Sequence, residues 1–233
     1  MLYTEDAVRE NLRNRDGRRV FYLGQGDRLT PGARDWLARE RVEILPASQA
    51  RPESYRLLNG AKILEKPEEM THLHSDVLVP KNHPRIRFRG AMDTLEAELL
   101  LCQLNHPVLA KNVGQIRDLA RRLIRCEVLD EAVPEGKLCG LTEAEQRERS
   151  HRPQDFFGIP HFMPSASDGA AVLALNKCRC AARAAELAAV DAFLDRDGKA
   201  TRGDILRALN RMSSMLYVLM CMEKSGKRVE HDG

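Results

Sequence analysis

DGAAVLALNKCRCAARAAELAAVDAFL (168–194), the turn DRDG (195–198) and RGDILRALNRMSSMLYVLMCME (202–223) decide the fold. In both long runs apolar residues recur every three or four positions, the period of an amphipathic helix, and Asp-Arg-Asp-Gly is turn chemistry. The first run is rich in alanine, which lets neighbouring helices approach closely. Upstream, Phe88, Met92, Leu95, Leu99 and Cys102 carry the same spacing from Arg85 onward, and Val113, Ile116, Leu119, Leu123 and Ile124 carry it from about Pro107 to Leu129. Thr142 followed by Glu145 has the form of a capping box opening a third, shorter helix. A helical bundle is the natural outcome. Between 151 and 167 the run HRPQDFFGIPHFMPSAS holds three prolines and a glycine, which exclude a regular helix, together with three phenylalanines and a methionine that favour burial. Such an apolar loop lines a core edge or a pocket.

The N-terminal part has a different grain. Thr4, with Glu5 and Asp6 behind it, opens a short helix; 20–23 reads as a strand; Thr30-Pro31 opens a second helix through Trp36 and Leu37 into a second strand at 42–45. From 46 to 67 the periodicity fades and an irregular connection is expected. The organisation read from the sequence is therefore mainly α: a small α/β unit over 1–50, a linker over 51–70, and a helical bundle over 71–233.

Across 233 residues, 43% apolar, the net charge is only +3, so the chain carries no electrostatic footprint of a nucleic-acid or membrane-surface binder. No window approaches the roughly 18 consecutive apolar residues of a membrane span, and the charged N-terminus lacks the apolar core of a signal peptide; a cytoplasmic protein is expected. Arginine outnumbers lysine 28 to 9, which suits planar anions such as phosphate and carboxylate. The six cysteines form no CxxC pair and read as buried free thiols, Cys178 and Cys180 being two apart and so on different helix faces.

Three constellations could carry chemistry. In NKCRCAARAAE, Arg179, Arg183 and Glu186 share one helix face: either a solvated stripe with an Arg183/Glu186 ion pair, or a two-arginine clamp for a polyphosphate with Glu186 orienting one arm. In THLHSDVLVPKNHPRIRFRGAMD, Thr71, His72, His74, Lys81 and Arg85 are read as a loop running to a helix start before Asp93, which has the materials of an anion cradle although it is no P-loop. There Asp93 is either an ordinary surface carboxylate or a partner for an arginine on a neighbouring helix or subunit. In LNRMSSMLYVLM, the polar stripe Asn210, Ser213, Ser214 and Tyr217 runs beside an apolar one, and an asparagine in mid-helix suggests that its amide is used.

These three motifs together, with FMPSASD ahead of the arginine pair and RLTPGARDWLARERVEI near the N-terminus, resemble the ATP:cob(I)alamin adenosyltransferases of the ethanolamine-utilisation type over most of the chain. The resemblance implies a five-helix bundle assembled as a homotrimer, with ATP and corrinoid at the subunit interface and magnesium bridging phosphates. It implies attack of Co(I) of cobalamin on the ribose C5′ of ATP, with loss of triphosphate. By position, Thr71, Lys81, Arg85, Arg179, Arg183, Glu186 and Asn210 would contact ATP, Asp93 would pair with Arg179 across the interface, and Met163, Ser214 and Tyr217 would face cobalamin. Phe162, with His161 as the alternative register, would be the residue that displaces the lower axial base.

The stretch SYRLLNGAKILEKPEEM lacks the His and CCxxC cluster that such enzymes often place before THL, so no protein-held metal site is assigned. The glycine-rich TGDxGxT loop of the propanediol-type relatives is also absent. A corrinoid reductase and a microcompartment protein are the partners the resemblance suggests. The alternative is a non-catalytic corrinoid- or nucleotide-binding protein that docks to a microcompartment.

Overall fold

A computed structural model describes residues 1–15, 17–50 and 54–227. The chain divides into two compact units, residues 1–83 with 127–131, and residues 84–126 with 132–233.

In the first unit, β1 (Leu2–Tyr3) leads into α1 (Glu5–Glu10), which Thr4 caps by accepting the Ala7 N–H at 3.3 Å. The β2 (Arg13–Arg15) and β3 (Arg18–Leu23) strands pair antiparallel. After β4 (Arg28–Leu29), which pairs with β1, α2 (Pro31–Arg39) starts on Thr30, whose hydroxyl accepts the Ala33 N–H at 3.2 Å, and on Pro31, whose fixed φ suits a first helical turn. The chain then enters β5 (Glu43–Pro46), parallel to β3. The expected strand-helix-strand unit is thus formed, and Val8, Leu12, Phe21, Trp36 and Leu37 close its core.

The stretch expected to be irregular contains a one-turn 3₁₀ helix at Ala47–Ala50 and two strands, β6 (Tyr55–Leu57) and β7 (Lys62–Ile63). The segment read as a loop around Thr71 is instead a hairpin, β8 (Met70–His74) with β9 (Val77–Pro80), giving a sheet of order β7-β6-β9-β8. The reason is in the side chains: Val77, Leu78 and Val79 are all buried, and β9 is paired on both edges, by β8 and by β6, which begins about 20 residues upstream.

The second unit is the helical one. Its helices are α3 (Pro84–Asn105), α4 (Ala110–Leu129, the last turn of which belongs to the first unit), α5 (Glu143–His151), the short α6 (Pro153–Phe157), α7 (Gly169–Phe193) and α8 (Gly203–Ser225). The capping box that opens α5 is complete: Glu145 accepts the Thr142 N–H at 2.7 Å and its own N–H donates to the Thr142 hydroxyl. α7 packs along both α3 and α8. Ala182, Ala185 and Ala189, all fully buried, allow that approach, and Phe88 of α3 meets Phe193 of α7 edge to face at 5.3 Å. Each fully buried leucine here, such as Leu95, Leu175 or Leu216, contributes about 2 kcal/mol.

α8 is buried over most of its circumference, Met212, Met215, Val218, Leu219 and Met220 among the interior residues. In its middle turns Asn210, Arg211, Ser214 and Tyr217 stay half-buried. The proline-rich stretch folds partly: Pro153 starts a turn and a half of helix, and Gly158, at φ +72°, ends it. No helix among the described residues is long and apolar enough to cross a membrane.

Candidate functional site

Asn210, Ser214 and Tyr217 of α8 face a pocket of about 500 Å³ lined also by Arg179 and Arg183 of α7, by His161, Phe162 and Met163 of the broken segment, by Ser213, and by Ser150 and His151 at the end of α5. The 3.6-residue period explains the convergence: Arg179 and Arg183 stand one turn apart on α7, and Asn210, Ser214 and Tyr217 stand in register on α8.

Among the described residues neither arginine meets a carboxylate within ion-pair distance. Arg179 instead lies over the Tyr217 ring at 5.5 Å, and Arg183 is exposed. Two uncompensated guanidinium groups on one wall, with no carboxylate in the lining, make this a pocket for an anion.

Glu186 does not pair with Arg183 as the spacing suggested, nor does it orient an arginine of the pair. It accepts a hydrogen bond from Asn210 Nδ2 at 2.9 Å, while Arg211 donates to Asn210 Oδ1. The asparagine is held at both ends, with one Nδ2 hydrogen left for a ligand. The half-buried Arg211 has its pKa lowered, chiefly by burial and then by Arg147. Ser213 and Ser214 both donate to the Asn210 carbonyl, at 3.0 and 3.1 Å, which leaves their oxygen lone pairs facing the pocket.

The broken segment is fixed from α8. Phe162 N–H donates to the Tyr217 hydroxyl at 3.3 Å, His161 Nδ1 lies 3.2 Å from the same oxygen, and His161 Nε2 lies 3.0 Å from the His151 carbonyl. Both ring nitrogens of His161 are therefore engaged, so it has no spare lone pair to offer a metal centre. Phe162 packs on Tyr217 at 5.8 Å, and Lys224 Nζ stands 4.6 Å from the centre of its ring. Lys224 is paired with Asp168 just ahead of α7, and that contact, with the Ser165 N–H, holds the Asp168 carboxyl below its ordinary range. Burial raises the Tyr217 hydroxyl, so it is a protonated donor near neutral pH.

The pocket thus gathers Arg179, Arg183, Asn210, Phe162, Met163, Ser214 and Tyr217, with Met163 almost wholly exposed at its mouth. Glu186 reaches it only through Asn210. Asp93, exposed, and Arg85, half-buried, lie on α3 in the same unit but not in the lining. Thr71 on β8 and Lys81 after β9 belong to the other unit, where Lys81 stands 3.9 Å from Glu68. Sequence reasoning placed Ser213 in the polar stripe without giving it a contact, and missed Ser150 and His151 as lining residues and the part played by Lys224 and Asp168. His151 and Ser150 sit at a helix end next to a proline, which is the one local signal of a turn into the pocket. No group of three or more His, Cys, Asp and Glu residues placed to hold a metal ion occurs among the described residues.

Residues 64–223 match a family model described as cobalamin adenosyltransferase. The chain is 30% identical over 246 residues to the corrinoid adenosyltransferase EutT of Salmonella typhimurium strain LT2, an alignment covering 94% of this chain and 91% of that one. It is 29% identical, with the same coverage, to the corrinoid adenosyltransferase EutT of Escherichia coli K12. No solved structure matches it significantly.

Proposed function

The chain belongs to the cobalamin adenosyltransferase family, whose reaction moves the adenosyl group of ATP to cobalamin, and we propose that the Arg179 pocket is where the triphosphate of ATP is held during that transfer. One observation carries the reading: two arginines that meet no carboxylate among the described residues share a wall with an asparagine amide that has a single free hydrogen.

In the reaction a Co–C bond forms at the ribose C5′ while the C5′–O bond breaks, cobalt giving the electron pair and triphosphate leaving with the negative charge. Cobalt is the nucleophile, so this chain supplies no serine or cysteine nucleophile. Its task is to fix positive charge where negative charge accumulates; Arg179 and Arg183 are placed for it, and removing one such group costs about 3 kcal/mol of transition-state stabilisation. Asn210 and the Ser213 hydroxyl orient the nucleotide. The lining offers a cation no carboxylate, only hydroxyl and amide oxygens beside the His151 and His161 rings, so magnesium in this reading travels on the phosphates.

Phe162, half-buried at the mouth, is the aromatic that faces the corrinoid, since His161 has both nitrogens committed. Met163, Ser214 and Tyr217 complete that side. A pocket of this volume suits a nucleotide and is small for a corrinoid, which supports a site completed by a second copy. The exposed Leu101, Leu104 and Leu187, on the outer faces of α3 and α7, fit the trimer that the family resemblance implies, with Asp93 at the same outer surface of α3 for a partner's arginine. Thr71, Lys81 and Arg85 are retained as contacts of ATP on the strength of the motif. Operation beside a microcompartment, and delivery of the corrinoid by a reductase, are proposed on the sequence resemblance to the ethanolamine-utilisation type alone.

The test is anaerobic: purified protein, MgATP and chemically reduced cob(I)alamin, followed by the spectral change to adenosylcobalamin. Wild-type turnover that falls at least about a hundredfold in Arg179→Ala is the expected result. A wild type that binds ATP or cobalamin without turnover overturns the transferase reading in favour of a carrier.

A further inference from the structure

The backbone of the segment that carries Phe162 makes few hydrogen bonds of its own. Pro160 and Pro164 have no N–H, and among the described residues the Phe162 N–H is the only backbone donor between 159 and 164 that finds a protein acceptor. That acceptor is the Tyr217 hydroxyl.

We propose that Tyr217 is a positioning residue for Phe162: its hydroxyl ties the 161–162 backbone to α8 and so sets where the Phe162 ring stands in the pocket. The proposal rests on the reading that Phe162 faces the corrinoid.

The hydrogen positions follow from the partners. The His151 carbonyl can only accept, so His161 Nε2, at 3.0 Å, carries the proton. In the neutral imidazole Nδ1 is then an acceptor, and the Tyr217 hydroxyl, at 3.2 Å, is its donor. With its proton committed, the hydroxyl oxygen accepts the Phe162 N–H. Each donor in the chain from Phe162 through Tyr217 and His161 to the end of α5 therefore has one acceptor. The rings reinforce the alignment, His161 and Phe162 each lying 5.8 Å from the Tyr217 ring at interplanar angles of 13° and 29°. The neighbouring Cys221 thiol is pushed up by burial to about 11, so it sets no thiolate against the hydroxyl near neutral pH. Arg179 over the same ring links the turn to the anion side of the pocket.

The experiment compares wild type, Tyr217→Phe, Phe162→Ala and the double variant in the anaerobic assay, with imidazole ¹⁵N spectra of each. Tyr217→Phe keeps the ring, its stacking and the Arg179 contact and removes only the oxygen. The expected result is kcat lower by about five- to tenfold, the yield of one lost hydrogen bond, with KM for ATP unchanged. In the Phe162→Ala background the same change has no further effect, because Tyr217 acts through Phe162. The His161 Nδ1 resonance, assigned from its loss in His161→Gln, shifts in Tyr217→Phe. An active wild type with an unaffected Tyr217→Phe variant, or with additive losses in the double variant, overturns the positioning role alone. An inert wild type overturns the functional reading and the positioning role with it.

Discussion

Glu186 of α7 accepts a hydrogen bond from the side-chain amide of Asn210 on α8 at 2.9 Å, and Arg211 fills the other end of the same amide. The carboxylate thus acts on the pocket without lining it. Glu186→Ala leaves the Asn210 amide free to rotate away from the ligand, with a stability loss of about 2 kcal/mol, the usual scale of a hydrogen bond to a charged group. Glu186→Gln keeps an acceptor in place and retains most of both properties. Urea denaturation and calorimetric titration with ATP check the pair; an unchanged ATP affinity in Glu186→Ala would show that Asn210 is oriented by something else.

A second expectation concerns acid. The Asp204 carboxyl, in the first turn of α8, takes a two-pronged contact from Arg202 at 2.9 and 3.0 Å and the Val133 N–H at 3.0 Å, and chiefly the arginine lowers its pKa to about 2. The folded pKa lies below the unfolded one, so the stabilisation is fully present above about pH 4 and is lost as pH falls from there towards 2. The shift corresponds to about 2 kcal/mol. Asp204→Asn should remove that amount at pH 7 and flatten the pH dependence of urea midpoints between pH 4 and 2. A variant as acid-sensitive as wild type would place the effect on other carboxylates.

Most of the helical architecture was legible because its signals are local. Thr30-Pro31, the Thr142 and Glu145 pair, and the spacing of Phe88 through Cys102 each specify a start or a buried face within a few residues, and all three appear where expected. What was not legible depends on partners distant in sequence. β9 pairs with β6 as well as β8, so the Thr71 region is a hairpin where a loop was expected. The i,i+3 spacing offered Arg183 to Glu186, yet the neighbouring helix supplied Asn210, 24 residues away, and that contact prevailed. Ser150 and His151 reach the pocket because α5 packs on α8, a tertiary fact with no periodic trace. The arginine and asparagine positions were readable for the opposite reason: a helix face is fixed by spacing alone.

Adjacent alanines on α7 test the close packing. Ala185 is fully buried between helices and Ala184 is exposed. Ala185→Leu should cost about 1–3 kcal/mol through overpacking, whereas Ala184→Leu should change stability by less than about 0.5 kcal/mol. Denaturant midpoints of the two variants decide it, and equal losses would mean that α7 is rotated from the register described.

The two arginines should also differ in their tolerance of lysine. Arg179 is a planar cation lying 5.5 Å from the centre of the Tyr217 ring, a contact that suits a delocalised guanidinium better than a compact ammonium; Arg183 is exposed and stands over no ring among the described residues. Lysine at either position keeps the charge, so a purely electrostatic site would accept both changes alike. The geometry gives a different expectation: Arg179→Lys raises KM for ATP by about tenfold, through lost stacking and a lost two-pronged phosphate contact, while Arg183→Lys raises it by no more than about threefold. Steady-state kinetics at two ionic strengths measure this. The Arg183→Lys loss should shrink at low salt, where a single screened charge is strongest, and the Arg179→Lys loss should persist, since shape rather than net charge has been removed. Equal sensitivity of the two variants would show that Tyr217 does not hold Arg179 in its working position.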